Sequence, residues 1–512
     1  MSAPLDDTGW ARHLPADVPV EGLDLLAQES LPRAWAAVFA RTPQAPAVRE
    51  WGEDTWTTYA DLDRATRRVA ARLARAGLRR GDRIIVSAGS SRRLVEAYVG
   101  ALRLGLVVVP LNTAYTQREV DYVIDDVTPS GAIVDDETRA AWMARTGVVC
   151  GPDVDLPDGP EVEVDAVGRD DLALVAYTSG TTGAPKGAML SHGNLLASSE
   201  AIRLAWRWTE ADRLLLALPL FHIHGLGVAL HGTLLAGASA VLLPKFDAAT
   251  VVEAAAGDEM TMFFGVPTMY ARLVDAPGVD ALARLRLCVS GSAPLPADLH
   301  QRLADRAGQQ ILERYGMTET IMTVSNPYDG ERRPGTVGHP LPGVELRIGL
   351  TEGDEEVLVR GPSVFRGYWQ RPEATAESFT EDGWFHTGDL GEVSADGYVR
   401  IKGRSKELII SGGYNVYPAE VEAVLREHPA VGDVAVAGIP SAEWGETVGA
   451  WVILRPDAVG SAARPDELAE ELTTHARGRL ASYKTPRSIN FVDDLPRNAM
   501  GKVTRAALVR PV

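Results

Sequence analysis

Along the first two thirds of the chain, short β-branched and aliphatic runs alternate with stretches of helical periodicity. Residues 83–88 (RIIVSA) follow a Gly-Asp turn and read as a buried strand. In residues 91–104 (SRRLVEAYVGALRL) the apolar positions return at helical spacing, and 107–111 (VVVPL) is the next strand. The same pattern predicts strands at 131–135, 172–177 and 239–243. Strands separated by helices imply parallel sheets covered on both faces, so the fold class is α/β. After about residue 330 the segments VELRIGL, EEVLVRG and GYVRIKGR are short, alternating and bounded by Gly or Asp, which reads as antiparallel structure. Beyond Arg404 a compact unit is expected. It has a strand (ELIIS), a Gly-Gly turn, a helix (PAEVEAVLREH), two strands (DVAVAGI and GAWVILR), a helix near 465–480 and a tail of loops. The main boundary falls near 403–406, giving domains 1–403 and 404–512.

A length of 512 residues suits two or three domains. With 46% hydrophobic and 23% charged residues, disordered and collagen-like classes are excluded. The 51 Lys and Arg against 69 Asp and Glu give a net charge of −18, which argues against nucleic acid as a main partner. Cys150 and Cys288 are too few for a disulfide framework or a Cys-rich zinc site and read as two buried thiols. An acidic N-terminus without an apolar run offers no signal peptide, so a cytoplasmic location is expected. From Leu214 to Pro244 there is no Asp, Glu, Lys or Arg, a length that could span a bilayer. Pro219, His222, His224, His231 and four glycines point instead to a buried strand, loop and helix.

The chemistry begins at Tyr177-Thr178-Ser179-Gly180-Thr181-Thr182-Gly183-Ala184-Pro185-Lys186-Gly187, which follows a predicted strand. Glycines let backbone N–H groups converge on an anion, hydroxyls add donors and Lys186 adds a full charge. This is phosphate-binding chemistry. The spacing differs from the P-loop, and Gly187 stands where that motif needs Ser or Thr.

The segment closely resembles the phosphate loop of the acyl-adenylate-forming superfamily of acyl-CoA synthetases, luciferases and peptide-synthetase adenylation domains. Further motifs resemble that superfamily in the same order, from about residue 30 to 510. Tyr315-Gly316-Met317-Thr318-Glu319 resembles the nucleotide segment, Trp384-Phe385-His386-Thr387-Gly388-Asp389 the ribose segment, Gly403-Arg404-Ser405-Lys406-Glu407 the hinge, and Pro496-Arg497-Asn498-Ala499-Met500-Gly501-Lys502 the C-terminal lysine loop. The resemblance implies a large N-terminal domain of two stacked α/β subdomains plus a small distorted β-barrel. A mobile α+β C-terminal lid would turn about Lys406. It also implies ATP, Mg²⁺ and coenzyme A as co-reactants.

Under it, Lys502 is the cation of the adenylation step, Glu319 and Thr181 face Mg²⁺, and Lys186 with the Gly-rich loop holds pyrophosphate. Asp389 accepts ribose hydroxyls, with Arg404 beside it. Gly291, Ser292, Ala293 and Pro294 contact adenine and close the acyl pocket. Ser411, Gly412, Gly413 and Tyr414 line the pantetheine route. Cations at the phosphoryl centre are what this chemistry needs, because a carboxylate must approach an anionic phosphate.

His222, in PLFHIHG, matches a histidine bordering the acyl site. Arg272 lies in GVPTMYAR, beside the expected acyl pocket. A guanidinium there is costly unless the substrate brings a carboxylate, since Arg pairs bidentately with carboxylates. The stretches LPLFHIHGLGVALHGTLLAG, GVPTMYARL, SGSAPL and ILERYGMTETIMTVSNPYDGERRPGTVGHPLPGV look specifically like malonyl-CoA synthetases. Arg272, with Ser292 and His222, would then read a second carboxylate, and Met317 and Met322 would be flexible apolar wall formers of the pocket, compatible with a small or a larger acid. On an exposed helix face Arg272 would instead pair with Asp275. A monocarboxylate CoA ligase, a non-CoA acceptor and a silent nucleotide binder are the other readings, and the oligomeric state stays open.

Overall fold

A computed structural model describes residues 7–178, 185–257, 259–349, 355–411, 414–441, 444–456, 465–498 and 501–509. The largest element is a nine-stranded sheet. Its parallel centre runs Leu312–Tyr315, Leu287–Ser290, Met262–Gly265, Arg213–Leu216, Ser239–Leu242 and Pro46–Glu50. Val324–Ser325 and His339–Pro340 add antiparallel strands at one edge, and Thr57–Thr58 does so at the other. Five of these six strands are four residues long, and three of them are buried throughout, which suits a sheet covered on both faces.

A six-stranded sheet lies beside it in the order Val148–Cys150, Gly131–Val134, Arg83–Ser87, Val107–Pro110, Leu172–Thr178, Lys186–Ser191. The last two strands form an antiparallel hairpin whose connection carries the phosphate-loop motif. Ser179, Gly180, Thr181, Thr182 and Gly183 of that motif lie outside the described residues. Helix Arg92–Leu104 starts on Ser91, whose side chain accepts from Leu94 N–H, and ends on Gly105 with φ +87°, a left-handed turn that favours glycine.

The charge-free segment is strand Arg213–Leu216, a loop, a π-helix His224–Leu230, helix His231–Ala236 and strand Ser239–Leu242. Among the described residues no helix is long and apolar enough to cross a membrane. Glu345–Ile348, Glu356–Arg360, Phe385–Val393 and Val399–Arg404 form a four-stranded antiparallel sheet, the small β unit expected after residue 330.

The C-terminal residues build their own sheet and their own core, from Ile409 to Ala476. Long strands Val431–Ser441 and Gly445–Leu454 pair antiparallel, and helices Pro418–Arg426 and Pro465–Arg477 supply Val421, Leu425, Leu468 and Leu472 to that core. Gly412 and Gly413 lie outside the described residues. The expected tail of loops is corrected at one place: Ser488–Phe491 is a strand, parallel to Gly445–Leu454. Its residues are only half-buried, so no hydrophobic run announces it. Cys288 is buried as expected, whereas Cys150, on an edge strand, is only half-buried.

Candidate active site

Strands ending at Leu216, Gly265, Ser290 and Tyr315 are neighbours or near neighbours in the large sheet, so the segments leaving their carboxyl ends converge. Crevices outside the carboxyl ends of parallel strands are where α/β proteins bind ligands. His224 Nδ1 lies 3.2 Å from Ser292 Oγ, and Leu295 N–H donates to Glu313 Oε1 at 2.8 Å. The loops are tight. A Cβ on Gly225 would stand 2.4 Å from the Pro219 carbonyl oxygen, and one on Gly291 would stand 2.3 Å from Arg314 Cζ. Ser292 and the β-branched Ile321 both take left-handed backbone, φ 69° and 60°. Strain of this kind, about 1–3 kcal/mol each, gathers at functional sites.

At the end of this crevice that holds His222 and His224 the charge is uncompensated. Arg314 is only 5% exposed, and its Nε and Nη2 have no hydrogen-bond partner among the described residues. Burial alone pushes the guanidinium down to about 9, which still leaves it charged at pH 7. Burial, then the Arg314 charge, pushes His222 down to about 4 and His224 well below its usual range, so both imidazoles are neutral. His222 Nδ1 accepts from His224 N–H at 3.2 Å. His224 Nε2 is buried and unpaired. Glu313, on the same strand as Arg314, is pushed up to about 8 by burial and keeps its proton at neutral pH.

At the other end the charges are paired. Asp389 and Arg404 sit opposite one another on adjacent strands, and Arg404 Nε lies 3.0 Å from Asp389 Oδ1. Tyr315 Oη donates to Asp389 Oδ2 at 2.5 Å. Asp389 N–H donates to Thr387 Oγ1, which fixes the turn carrying the carboxylate. Burial holds the Asp389 carboxyl above its ordinary value, against the pull of Arg404. Glu319 is likewise raised by burial and accepts from Tyr368 Oη at 3.0 Å. Tyr368 reaches it because residues 366–369 pair with the edge of Lys186–Ser191, through Met189 N–H to the Gly367 carbonyl and Trp369 N–H to the Gly187 carbonyl. The Lys186 ammonium stands 5.0 Å from the Tyr368 ring centre, so one tyrosine touches both the lysine and the acid.

The Lys502 loop closes on this site from the C-terminal residues. Asn498 Oδ1 accepts from Lys502 N–H, Arg497 Nη1 donates to the Gly501 carbonyl, and Gly501 packs against Thr268. Burial and the Arg404 charge lower the Lys502 ammonium from its usual value. Helix Pro267–Leu273 places Arg272 four residues beyond Thr268, on the same face. Arg272 is exposed and makes no ion pair among the described residues; Asp275, its alternative partner, is held by Arg302 and Arg306. Tyr414 is 58% exposed and stacks on Tyr483, ring centres 4.7 Å apart, next to the buried Ser411.

Thus Lys186, Glu319, Tyr315, Asp389, Arg404, Lys502, His222 and Ser292 frame one crevice. Met317, Gly316 and Thr318 are half-buried along it, while Met322 is core. Sequence reasoning passed over Arg314 and Tyr368. The available signal for Arg314 was a pair of adjacent charges, Glu313 and Arg314, in a four-residue strand leading into the YGMTE motif. Tyr368 has none, because its position depends on pairing with a hairpin far away in the chain.

Residues 34–369 match the AMP-binding enzyme family and residues 420–502 the AMP-binding enzyme C-terminal domain, so the chain belongs to that family. Within it, a feruloyl-CoA synthase of an Amycolatopsis species is 39% identical, over 93% of this chain and 98% of its own. A malonate–CoA ligase of Arabidopsis thaliana is 37% identical, over 84% of this chain and 78% of its own. The ATP-bound crystal structure of MatB from Rhodopseudomonas palustris superposes with a TM-score of 0.87 at 40% identity, covering 94% of this chain and 98% of that one.

Proposed function

We propose that this protein is an ATP-dependent, AMP-forming ligase that joins malonate, or a small acid with a second anionic group, to coenzyme A. The observation that carries the acid is Arg314, a buried guanidinium with two unpaired nitrogens beside two neutral histidines. A pocket for an aromatic or aliphatic acid has no use for such a charge, whereas a distal carboxylate supplies the missing partner. Arg272, on the helix facing the Lys502 loop, is the second cation for that carboxylate, with Ser292 and His222 adding neutral polar contacts. The similarity to malonate–CoA ligase and to MatB supports the same acid.

In the first step the reactive carboxylate of the acid attacks the α-phosphorus of ATP, the α–β P–O bond breaks, and pyrophosphate leaves from the Lys186 side. Lys502 offsets the charge that gathers on the phosphoryl oxygens. Asp389 and Arg404 hold the ribose. Glu319, a buried carboxylate that no cation touches directly, fits Mg²⁺, which when bound neutralises phosphate charge; Thr181 is its second candidate ligand. In the second step the C-terminal residues turn about 404–406, withdraw Lys502 and present Ser411 and Tyr414 to the pantetheine arm. The thiol sulfur attacks the acyl carbon, AMP leaves with the bonding pair, and the thiol proton passes to solvent. Such two-step reactions are commonly gated by domain motion.

The test is pyrophosphate release with ATP and CoA across malonate, methylmalonate, sulfoacetate, succinate, acetate, butyrate and ferulate, with mass detection of the thioester. Preference for malonate, methylmalonate or sulfoacetate is expected. Preference for ferulate or butyrate would leave a CoA ligase and discard the role of Arg314. Adenylate without thioester would point to another acceptor.

A further inference from the structure

Two carboxylates lie in the electrostatic reach of the Lys502 ammonium, and each is already held by an arginine. Asp389 is taken by Arg404 at 3.0 Å and by the Tyr315 hydroxyl. Glu407, just past the expected hinge, is taken by Arg505, whose Nη1 lies 2.6 Å from Glu407 Oε2. Arg505 spends its other nitrogens as well: Nη2 bonds Glu422 Oε1 at 2.8 Å, and Nε donates to the Val436 carbonyl at 3.0 Å. Arg497 and Val503 face one another as an antiparallel pair. Asn498 N–H donates to the Lys502 carbonyl at 2.9 Å and Thr504 N–H to the Pro496 carbonyl at 2.8 Å. Among the described residues the Lys502 ammonium itself has no ion pair.

We propose that Arg505 is a positioning residue for Lys502. By occupying the Glu407 carboxylate it denies the ammonium an internal partner and leaves it available to the reacting phosphate. Arg505 is three positions from Lys502 on a stretch of chain held by these hydrogen bonds, so a released Glu407 carboxylate would capture Lys502 in an ion pair. This inference rests on the proposed role of Lys502 in adenylation. It predicts a defect confined to the first half-reaction, and a cure by removing the competing acid.

The experiment uses the full-length protein and two readouts: malonate-dependent ATP–pyrophosphate exchange, and thioester formation from synthetic malonyl-adenylate and CoA. Arg505→Gln is expected to slow exchange about tenfold or more while leaving transfer within about twofold. Glu407→Gln alone should leave exchange within about twofold of the wild type, and the double variant R505Q/E407Q should return most of the lost exchange. An Arg505 that merely clamps the C-terminal turn behaves differently: both half-reactions fall together and the double variant is no better than the single. Either result overturns the proposal, as does an R505Q protein with full exchange. Should R505Q fail to fold, Arg505→Lys keeps a charge on Glu407 and should stay within about threefold of the wild type in exchange. A tenfold loss there also overturns it. Lys502→Ala in the same assays separates this inference from its premise. If K502A keeps exchange, Lys502 has no role to protect; if K502A loses exchange but R505Q does not, only Arg505 is excluded.

Discussion

The two ends of the crevice are built on opposite principles. At the Asp389 end both buried carboxylates have a partner from the protein: Asp389 has Arg404 and Tyr315, and Glu319 has Tyr368. At the acyl end Arg314 lies as deep with two of its nitrogens unpaired, and the neighbouring imidazoles are neutral. A buried charge that is paired costs little to keep and can serve any nucleotide reaction. A buried charge left unpaired lowers stability and is repaid only when a ligand completes it. On the proposed function, the difference would separate the part of the site that serves ATP chemistry from the part that selects the acid.

The comparison breaks most visibly at Arg314. Arg314→Met should lower kcat/KM for malonate at least about 100-fold, through the loss of a charge-assisted carboxylate pair. The same variant should raise stability by about 1–3 kcal/mol, because an uncompensated buried charge is replaced by an apolar side chain. Steady-state kinetics and a thermal melt together read both effects. Unchanged malonate kinetics, or a less stable protein, would place the selecting charge elsewhere. Arg272→Ala is expected to have the smaller effect on malonate, since its guanidinium is solvated before the acid arrives.

Asp389→Asn acts on the other end. It leaves Arg404 without a counter-charge and removes an acceptor from Tyr315. The KM for ATP should rise about tenfold while the rank order of acids stays as it was. A change in acid preference would show that the two ends are not separable.

The same contrast governs what was legible in the sequence. The phosphate-loop, YGMTE and WFHTGD motifs could be read because nucleotide chemistry demands particular residues in contiguous runs. Strands such as Arg83–Ser87 and Val107–Pro110 could be read because a buried parallel strand is apolar on both faces. The role of Arg314 could not, since in its strand LERY it stands beside another charge, Glu313, and the pair does not say which is left without a partner. Its meaning comes from Gly291 on the neighbouring loop and from the histidines of a segment about ninety residues earlier. Tyr368 and Arg505 were hidden for a similar reason: their partners, Glu319 for one and Glu407 and Glu422 for the other, are remote in the chain. Strand Ser488–Phe491 was missed because its residues are half-buried and it pairs in parallel with a strand far from it in sequence.

The smallest effect concerns Glu313, next to Arg314 on strand Leu312–Tyr315. Burial raises its carboxyl from 4.5 to about 8 in the folded protein. Below the unfolded value both states hold the proton, and the stability this group contributes is fully present. Between about 4.5 and 8 the unfolded chain releases the proton while the folded protein keeps it, so stability falls as pH rises; above about 8 the fall levels off. Glu313→Gln keeps an acceptor for Leu295 N–H and removes the titration. Its melting temperature should therefore decline less than that of the wild type between pH 5 and pH 8, with the variant the relatively more stable protein at the upper end. Parallel pH profiles would mean that Glu313 is ionised in the folded state, and that burial does not hold its proton.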